Sequence, residues 1–210
     1  MTQQWAGDRR TEDLDWAKGD GLLPAIVQDA DDGRVLMLGY MNAQALQQTL
    51  ASGRVCFWSR SKQRLWTKGE QSGHWLTLVE ARADCDADTL LLRARPAGPT
   101  CHLGTATCFG ADDPGPALAF LADLGRVIES RRDAAPDSSY TARLFAAGTR
   151  RIAQKVGEEG VETALAAVAQ DAPALLGEAA DLLYHLQVLL ADRGLGLLDV
   201  VAELRQRHGG

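Results

Sequence analysis

The 210-residue sequence contains no run of eighteen apolar residues, and its first stretch, Met1 to Arg10, is polar. A membrane-spanning helix needs about 20 predominantly apolar residues, and a secretory signal needs an apolar segment near the N-terminus. The expectation is a cytoplasmic protein with no membrane partner. Cysteine is scarce: Cys56, Cys85, Cys101 and Cys108 are all there are, and no two form a CxxC pair. That excludes a zinc finger or ribbon built on paired knuckles, and so few thiols suit a reducing compartment. An excess of positive charge is missing too. Lys and Arg number 22 against 28 Asp and Glu, a net charge of −6. Residues 1–112 carry 12 basic and 14 acidic side chains and the remainder 10 and 14, so neither half has the electrostatic footprint of a nucleic-acid binder.

What is present suffices for one large core or two small ones, with 46% apolar and 24% charged residues. Residues 1–21 are mixed and suggest no function beyond Trp5 and Trp16 packing back onto the domain. Leu22 to Asp29 and Arg34 to Met41 are apolar runs flanking the turn sequence Asp31-Asp32-Gly33, which predicts a hairpin. Asn42 can cap a helix over Ala43 to Ser52 that Gly53 ends. Arg54 to Trp58 is β-branched and aromatic, hence a strand, with Cys56 a small core residue.

Three of the four cysteines fall between residues 84 and 109, in Asp84-Cys85-Asp86-Ala87-Asp88 and in Cys101-His102-Leu103-Gly104-Thr105-Ala106-Thr107-Cys108. Leu76, Leu78 and Val79 before the acidic run and Leu90 to Leu92 after it read as strands. If the acidic run is extended as well, Asp84, Asp86 and Asp88 share one face and Cys85 takes the other. Carboxylates suit magnesium and thiolates suit zinc, so the stretch can serve two metals. Three thiolates leave zinc a fourth position for water, whose pKa zinc lowers to about 7. An acidic turn beside ordinary buried cysteines has the same composition.

Residues 58–74 bring together Trp58, Ser59, Arg60, Lys62, Arg64, Trp66, Lys68, Glu70, Ser72 and His74 with two glycines, as anion-binding loops do. A solvated basic loop is the alternative. The breaker cluster Gly110 to Pro116 then marks a domain boundary, placed at 112/113. Beyond it the pattern is helical: residues 117–132, a short helix holding Leu144 and Phe145 with Ser138 or Ser139 as cap, Thr149 to Ala169 despite Gly157 and Gly160, Pro173 to about Asp192, and Leu197 to Arg207. The fold class expected is therefore a β-rich α+β domain followed by an all-α bundle. On the long helix Glu158, Glu159 and Glu162 share a face, and Glu178 and Asp181 interrupt the leucine-rich helix that follows. Carboxylates converging between helices call for a cation, and all-oxygen ligation points to magnesium. A salt-bridge network with Arg151 and Lys155 reads equally well.

These strings resemble two enzyme families in one chain. QDADDGRVLMLGYMN, FWSRSKQRLWTKGEQSGH, ADCDAD and CHLGTATCF are similar to phosphoribosyl-AMP cyclohydrolase; SYTARLFAAGTRRIAQKVGEEGVETALAA and EAADLLYHL are similar to phosphoribosyl-ATP pyrophosphohydrolase. The two activities are the third and second steps of histidine biosynthesis, and fusion of the pair is a known arrangement. The resemblance implies magnesium on Asp84, Asp86 and Asp88, zinc on Cys85, Cys101 and Cys108 drawn from both subunits of a homodimer, and magnesium on Glu158, Glu159, Glu162, Glu178 and Asp181. It does not say which of Glu158 and Glu159 touches metal. Leu103 and Thr107 stand where Thr and Ser are more usual in the cyclohydrolases.

The reading that follows is a hydrolase that releases pyrophosphate from phosphoribosyl-ATP, with Arg151 and Lys155 holding phosphate. It then opens the purine ring of phosphoribosyl-AMP between N1 and C6 with a zinc-bound hydroxide, His102 moving a proton or serving only to orient a ligand. The rivals are a zinc-dependent binding module, and a single enzyme with a degenerate helical appendage.

Overall fold

The computed structural model describes residues 4–6, 9–110 and 115–208. The boundary expected at 112/113 lies outside the described residues. By its contacts the chain divides into two compact units, Met1–Ala119 and Phe120–Gly210.

The first unit is built on a four-stranded sheet in the order β2-β1-β6-β5. Strands β1 (Leu23–Asp29) and β2 (Val35–Met41) form the expected hairpin. Gly33, at φ +77°, makes the turn that a Cβ-bearing residue would resist. Strand β1 also pairs in parallel with β6 (Leu90–Pro96), which runs antiparallel to β5 (Leu76–Ala83). Alternate residues of β1, Leu23, Ala25 and Val27, face a core shared with Leu76, Leu90 and Leu92. Gln4 and Ala6 add backbone hydrogen bonds to Ala81 on the outer edge of β5, and Trp5 and Trp16 pack on the core as expected.

Helix α1 (Ala43–Ser52) has the boundaries its sequence predicts: Asn42 Oδ1 accepts the Ala45 amide at 2.8 Å, and Gly53 leaves it at φ +68°. Its buried Thr49 donates to the Ala45 carbonyl at 2.8 Å and accepts the Cys56 amide at 2.9 Å, tying the helix to β3 (Cys56–Ser59). Two expectations need correction. Residues 58–74 are not a loop throughout, because Arg64–Thr67 form β4, paired with β3, and Leu65 and Trp66 lean on the core. The acidic run is not extended. It is the turn between β5 and β6, closed by Asp84 Oδ1 accepting the amides of Asp88 and Thr89, both at 3.1 Å, with Ala87 at φ +62°. An aspartate carboxylate that captures nearby backbone amides competes with strand pairing, and period-two reasoning ignores this.

The second unit is helical: α2 (Ala119–Ser130), α3 (Tyr140–Ala147), α4 (Thr149–Ala169), α5 (Ala172–Asp192) and α6 (Leu197–His208). Ser139, not Ser138, caps α3, accepting the Ala142 amide at 3.1 Å. Asp171 caps α5, with Pro173 in its first turn. Helices α4 and α5 fold back on each other through residues 170 and 171 and make the unit's most extensive contact. Ile128, Leu144, Ile152, Val188 and Ala191 form the core. By length and composition α5 could cross a membrane, yet it buries His185 and Gln187 and lies along α4.

Thr49→Val should destabilise the first unit by about 1–3 kcal/mol in denaturant unfolding, because the buried Cys56 amide loses its acceptor while the side-chain volume is nearly kept. An unchanged midpoint would show that this amide finds another partner.

Candidate functional site

In the β5–β6 turn each of Asp84, Asp86 and Asp88 offers an oxygen within 4.8 Å of the others. Asp84 and Asp86 are exposed and Asp88 half-buried. The Lys18 ammonium bonds Asp86 at 2.7 Å and also contacts Asp88. Its hydrogen bonds hold both carboxyls below the usual carboxylate range. Lys18 lies in the segment to which sequence reasoning assigned no role. It has no motif that could have marked it, since the contact spans 68 residues.

Cys101 and Cys108 lie in the first unit close enough that each thiol influences the other's titration. The Leu103 amide and the Thr105 hydroxyl pull the Cys101 thiol below its ordinary pKa, whereas desolvation and the neighbouring Cys101 push Cys108 up. The loop carrying them is fastened to β2: the Cys108 amide donates to the Leu36 carbonyl and the Thr107 hydroxyl to the Val35 carbonyl, both at 2.8 Å. Thr107 is thus a buried anchor, and a serine would offer the same hydroxyl. Cys85 does not join the pair, for among the described residues no cluster of three metal-capable side chains includes a cysteine. His102 is exposed, its Nδ1 3.8 Å from Cys101 Sγ.

The β3–β4 hairpin and the turn after it hold the ten side chains singled out between 58 and 74. Arg60 stacks on Tyr40, 3.8 Å from the ring centre. Arg64 pairs with Glu70, which also accepts the Thr67 amide at 3.3 Å. Glu70 is therefore the hairpin's internal counter-ion, held below the usual carboxylate range by Arg64. Trp58 and Trp66 are half-buried, Ser59 accepts the Lys62 amide at 3.3 Å, and Ser72 accepts the His74 amide at 3.2 Å. The His74 ring lies against Gly98, where a Cβ would come within 2.7 Å of it. Lys62 and Lys68 have no ion-pair partner among the described residues. Lys68 is close enough to Cys108 to favour its thiolate.

In the helical unit Glu159, Glu178 and Asp181 place one oxygen each within 4.8 Å of the others, Glu159 buried, Glu178 half-buried and Asp181 exposed. Spacing alone left Glu158 and Glu159 equivalent, and the structure separates them. Glu158 turns outward to Lys155 at 3.0 Å and Arg151 at 3.6 Å. Glu159 turns inward, with Lys155 at 2.7 Å, which keeps its carboxyl ionised below the usual range. Glu162 has its pKa raised by local desolvation and by the charges of Glu159 and Glu178. Of the carboxylates Glu159, Glu162, Glu178 and Asp181 gathered here, Glu159 is the one paired with Lys155. Beneath them lies His185, which sequence reasoning passed over as part of an apolar string. It is buried, with Nδ1 2.8 Å from the Asp181 carbonyl oxygen and Nε2 3.0 Å from the Tyr140 hydroxyl.

Comparison with known proteins agrees with this division. A family model for phosphoribosyl-AMP cyclohydrolase matches residues 37–110, and one for phosphoribosyl-ATP pyrophosphohydrolase matches residues 121–208. The histidine biosynthesis bifunctional protein HisIE of Xylella fastidiosa (strain Temecula1) is 66% identical over 196 residues, covering 93% of each chain. That of Xanthomonas campestris pv. campestris is 64% identical over 97% of this chain and 96% of its own. That of Escherichia coli K12 is 58% identical over 96% of this chain and 98% of its own. Matches of this extent, one family on each compact unit and the fused relatives aligned nearly end to end, show that the chain belongs to the bifunctional histidine-biosynthesis enzymes, with phosphoribosyl-AMP cyclohydrolase and phosphoribosyl-ATP diphosphatase activities in one polypeptide.

Proposed function

We propose that the helical domain, residues 113–210, acts first, hydrolysing the α,β phosphoanhydride of phosphoribosyl-ATP at the carboxylate cluster of α4 and α5. The convergence of Glu159, Glu178 and Asp181 oxygens within 4.8 Å carries this reading, and such an all-oxygen set suits a hard divalent cation. Magnesium held by Glu159, Glu162, Glu178 and Asp181 would neutralise the polyphosphate and orient water. Glu158 takes an outer place, setting Lys155 and Arg151. Arg151, only 3.6 Å from Glu158 and exposed, can swing to a phosphate; Lys155 balances Glu159 from beside the cluster.

The first domain, residues 1–112, then opens the ring of phosphoribosyl-AMP between N1 and C6. Zinc bound by Cys85, Cys101 and Cys108 would acidify a water at its open position and so supply the nucleophile at neutral pH. The adjacent thiols of Cys101 and Cys108 support this, and the separate place of Cys85 supports a site completed by the Cys85 of a second copy. His102, one residue from a ligand and exposed, carries a proton between N1 and solvent. Asp84, Asp86 and Asp88 bind magnesium once Lys18 yields its place. Lys62 and Lys68, with Ser59, Arg60 and Ser72, hold the phosphates, while Trp58, Trp66, Glu70 and His74 shape the wall of the site. A cytoplasmic homodimer follows; Val161, Leu165 and Val168, exposed at helical spacing along α4, support association of the helical unit as well.

Cys101→Ala or Cys108→Ala should lose zinc and ring opening while pyrophosphate release persists. Co-expressing a Cys85→Ala chain with a Cys101→Ala chain should restore about a quarter of the cyclohydrolase activity, since half the dimers are mixed and each then has one intact site. No recovery in isolated mixed dimers would place all three thiols in one chain.

Glu162→Gln and Asp181→Asn should each lower pyrophosphate release by about two orders of magnitude or more, sparing ring opening of supplied phosphoribosyl-AMP. Because the folded-state pKa of Glu162 is raised, the folded chain binds more protons than the unfolded one, and its contribution to metal-free stability falls as pH rises from the ordinary carboxylate value through the raised one. Glu162→Gln removes that loss, so metal-free melting at neutral pH should shift upward. Wild-type turnover in both variants would reduce the cluster to a salt-bridged surface.

A further inference from the structure

His185 is a buried polar residue of the helical unit, 4% exposed and one turn beyond Asp181 on α5. Its two ring nitrogens have different partners, which fixes the tautomer. Nδ1 lies 2.8 Å from the Asp181 carbonyl oxygen, and a carbonyl only accepts, so Nδ1 carries the proton. In the neutral ring Nε2 is then the acceptor, and the Tyr140 hydroxyl donates to it at 3.0 Å. The ring stands edge-on to Tyr140 at 5.8 Å and to Tyr184 at 5.0 Å. Tyr184 is itself tied to Thr141 at 2.8 Å. Helix α3 therefore holds the imidazole by a hydrogen bond and an aromatic edge, while the Asp181 carbonyl holds its other nitrogen.

What it is held against decides its use. The Nδ1–H group points into the turn that carries Asp181, and Glu159 Oε1 sits 3.7 Å from the same nitrogen. That proton is accepted by the main-chain carbonyl of Asp181. The contact with the cluster itself is the 3.7 Å approach of Nδ1 to the buried Glu159 carboxylate, which a histidine serving only to join α3 to α5 would not need. We infer that His185, locked by Tyr140, is a positioning residue for the divalent-cation site: it fixes the Asp181 turn and the inward rotamer of Glu159, so that these carboxylates and Glu178 converge before the cation arrives. This rests on reading the cluster as a cation site. Lys155 fixes Glu159 from one side and the imidazole N–H dipole from the other. Neither Tyr140 nor His185 touches substrate in this role. Orienting groups behind metal-binding carboxylates typically contribute about 10–100-fold in metal affinity.

The test uses the full chain with Asp86→Asn and Asp88→Asn, which silence the acidic turn of the other unit, and follows Mn²⁺ binding by electron paramagnetic resonance. Three changes separate the contributions. His185→Phe keeps the ring and removes both nitrogens; His185→Asn puts an amide N–H where Nδ1–H was; Tyr140→Phe removes only the hydroxyl. His185→Phe should weaken Mn²⁺ binding about 10–100-fold. It should raise the magnesium concentration for half-maximal pyrophosphate release in parallel, with kcat at saturating magnesium changed much less. His185→Asn should recover most of the affinity, and Tyr140→Phe should fall between. If His185→Phe melts earlier but binds Mn²⁺ like the parent, His185 is a structural histidine and the inference fails. Should His185→Phe not fold, Tyr140→Phe with unaltered Mn²⁺ affinity overturns it equally. Asp181→Asn is the control: affinity lost there but kept in the His185 and Tyr140 variants rejects only the positioning role, whereas affinity kept in Asp181→Asn rejects the cation site itself.

Discussion

Like charges cannot be crowded without a counter-charge, and the two sites described here are organised by that constraint. Three aspartates share the β5–β6 turn, and four carboxylates share the face between α4 and α5. In each place a lysine stands among them, Lys18 against Asp86 and Asp88, Lys155 against Glu158 and Glu159. The two are placed differently. Lys155 is one turn from its partners on the same helix, whereas Lys18 reaches in from a segment 68 residues away. The carboxylate cluster of the helix pair is thus partly neutralised from its own helix, while the one on the turn is partly neutralised by a distant part of the chain.

The thiols obey a different constraint, that of reach. Cys101 and Cys108 are brought together because their loop doubles back through Gly104 at φ +85° and is fastened to β2 by Thr107. Cys85 sits on a turn whose shape is already dictated by Asp84 capturing two amides. One residue string therefore serves two masters, and the geometry that satisfies the carboxylates carries the thiol away from the other two.

Much of this was legible in the residues. Asn42 and Gly53 delimit α1 because a side-chain acceptor and a left-handed glycine act locally, and α4 survives its glycines because Ile152 and Ala166 are buried where the helical period puts them. The acidic and thiol motifs could be named in advance, since their members are close in sequence. What failed were the inferences that treated neighbours as independent: the extended reading of Asp84 to Asp88 overlooked a carboxylate's appetite for backbone amides, and the loop reading of 58–74 overlooked the pairing of Leu65 and Trp66. Lys18 and His185 were invisible for another reason. Their significance lies in contacts made 68 and 45 residues away along the chain, and no local period or spacing records such a meeting.

The parallel pairing of β1 with β6 bears on where this protein can be cut. The cyclohydrolase family match begins at residue 37, within β2. Yet β1 ends before that point and lies inside the sheet, with β2 on one side and β6 on the other. A gene fragment trimmed to the family-model match would delete an interior strand, leave the inner backbone of β6 without partners, and strip Leu23, Ala25 and Val27 from the core. The stretch matched by the family model is therefore shorter than the unit of folding, and the autonomous piece must include β1, which lies before that stretch.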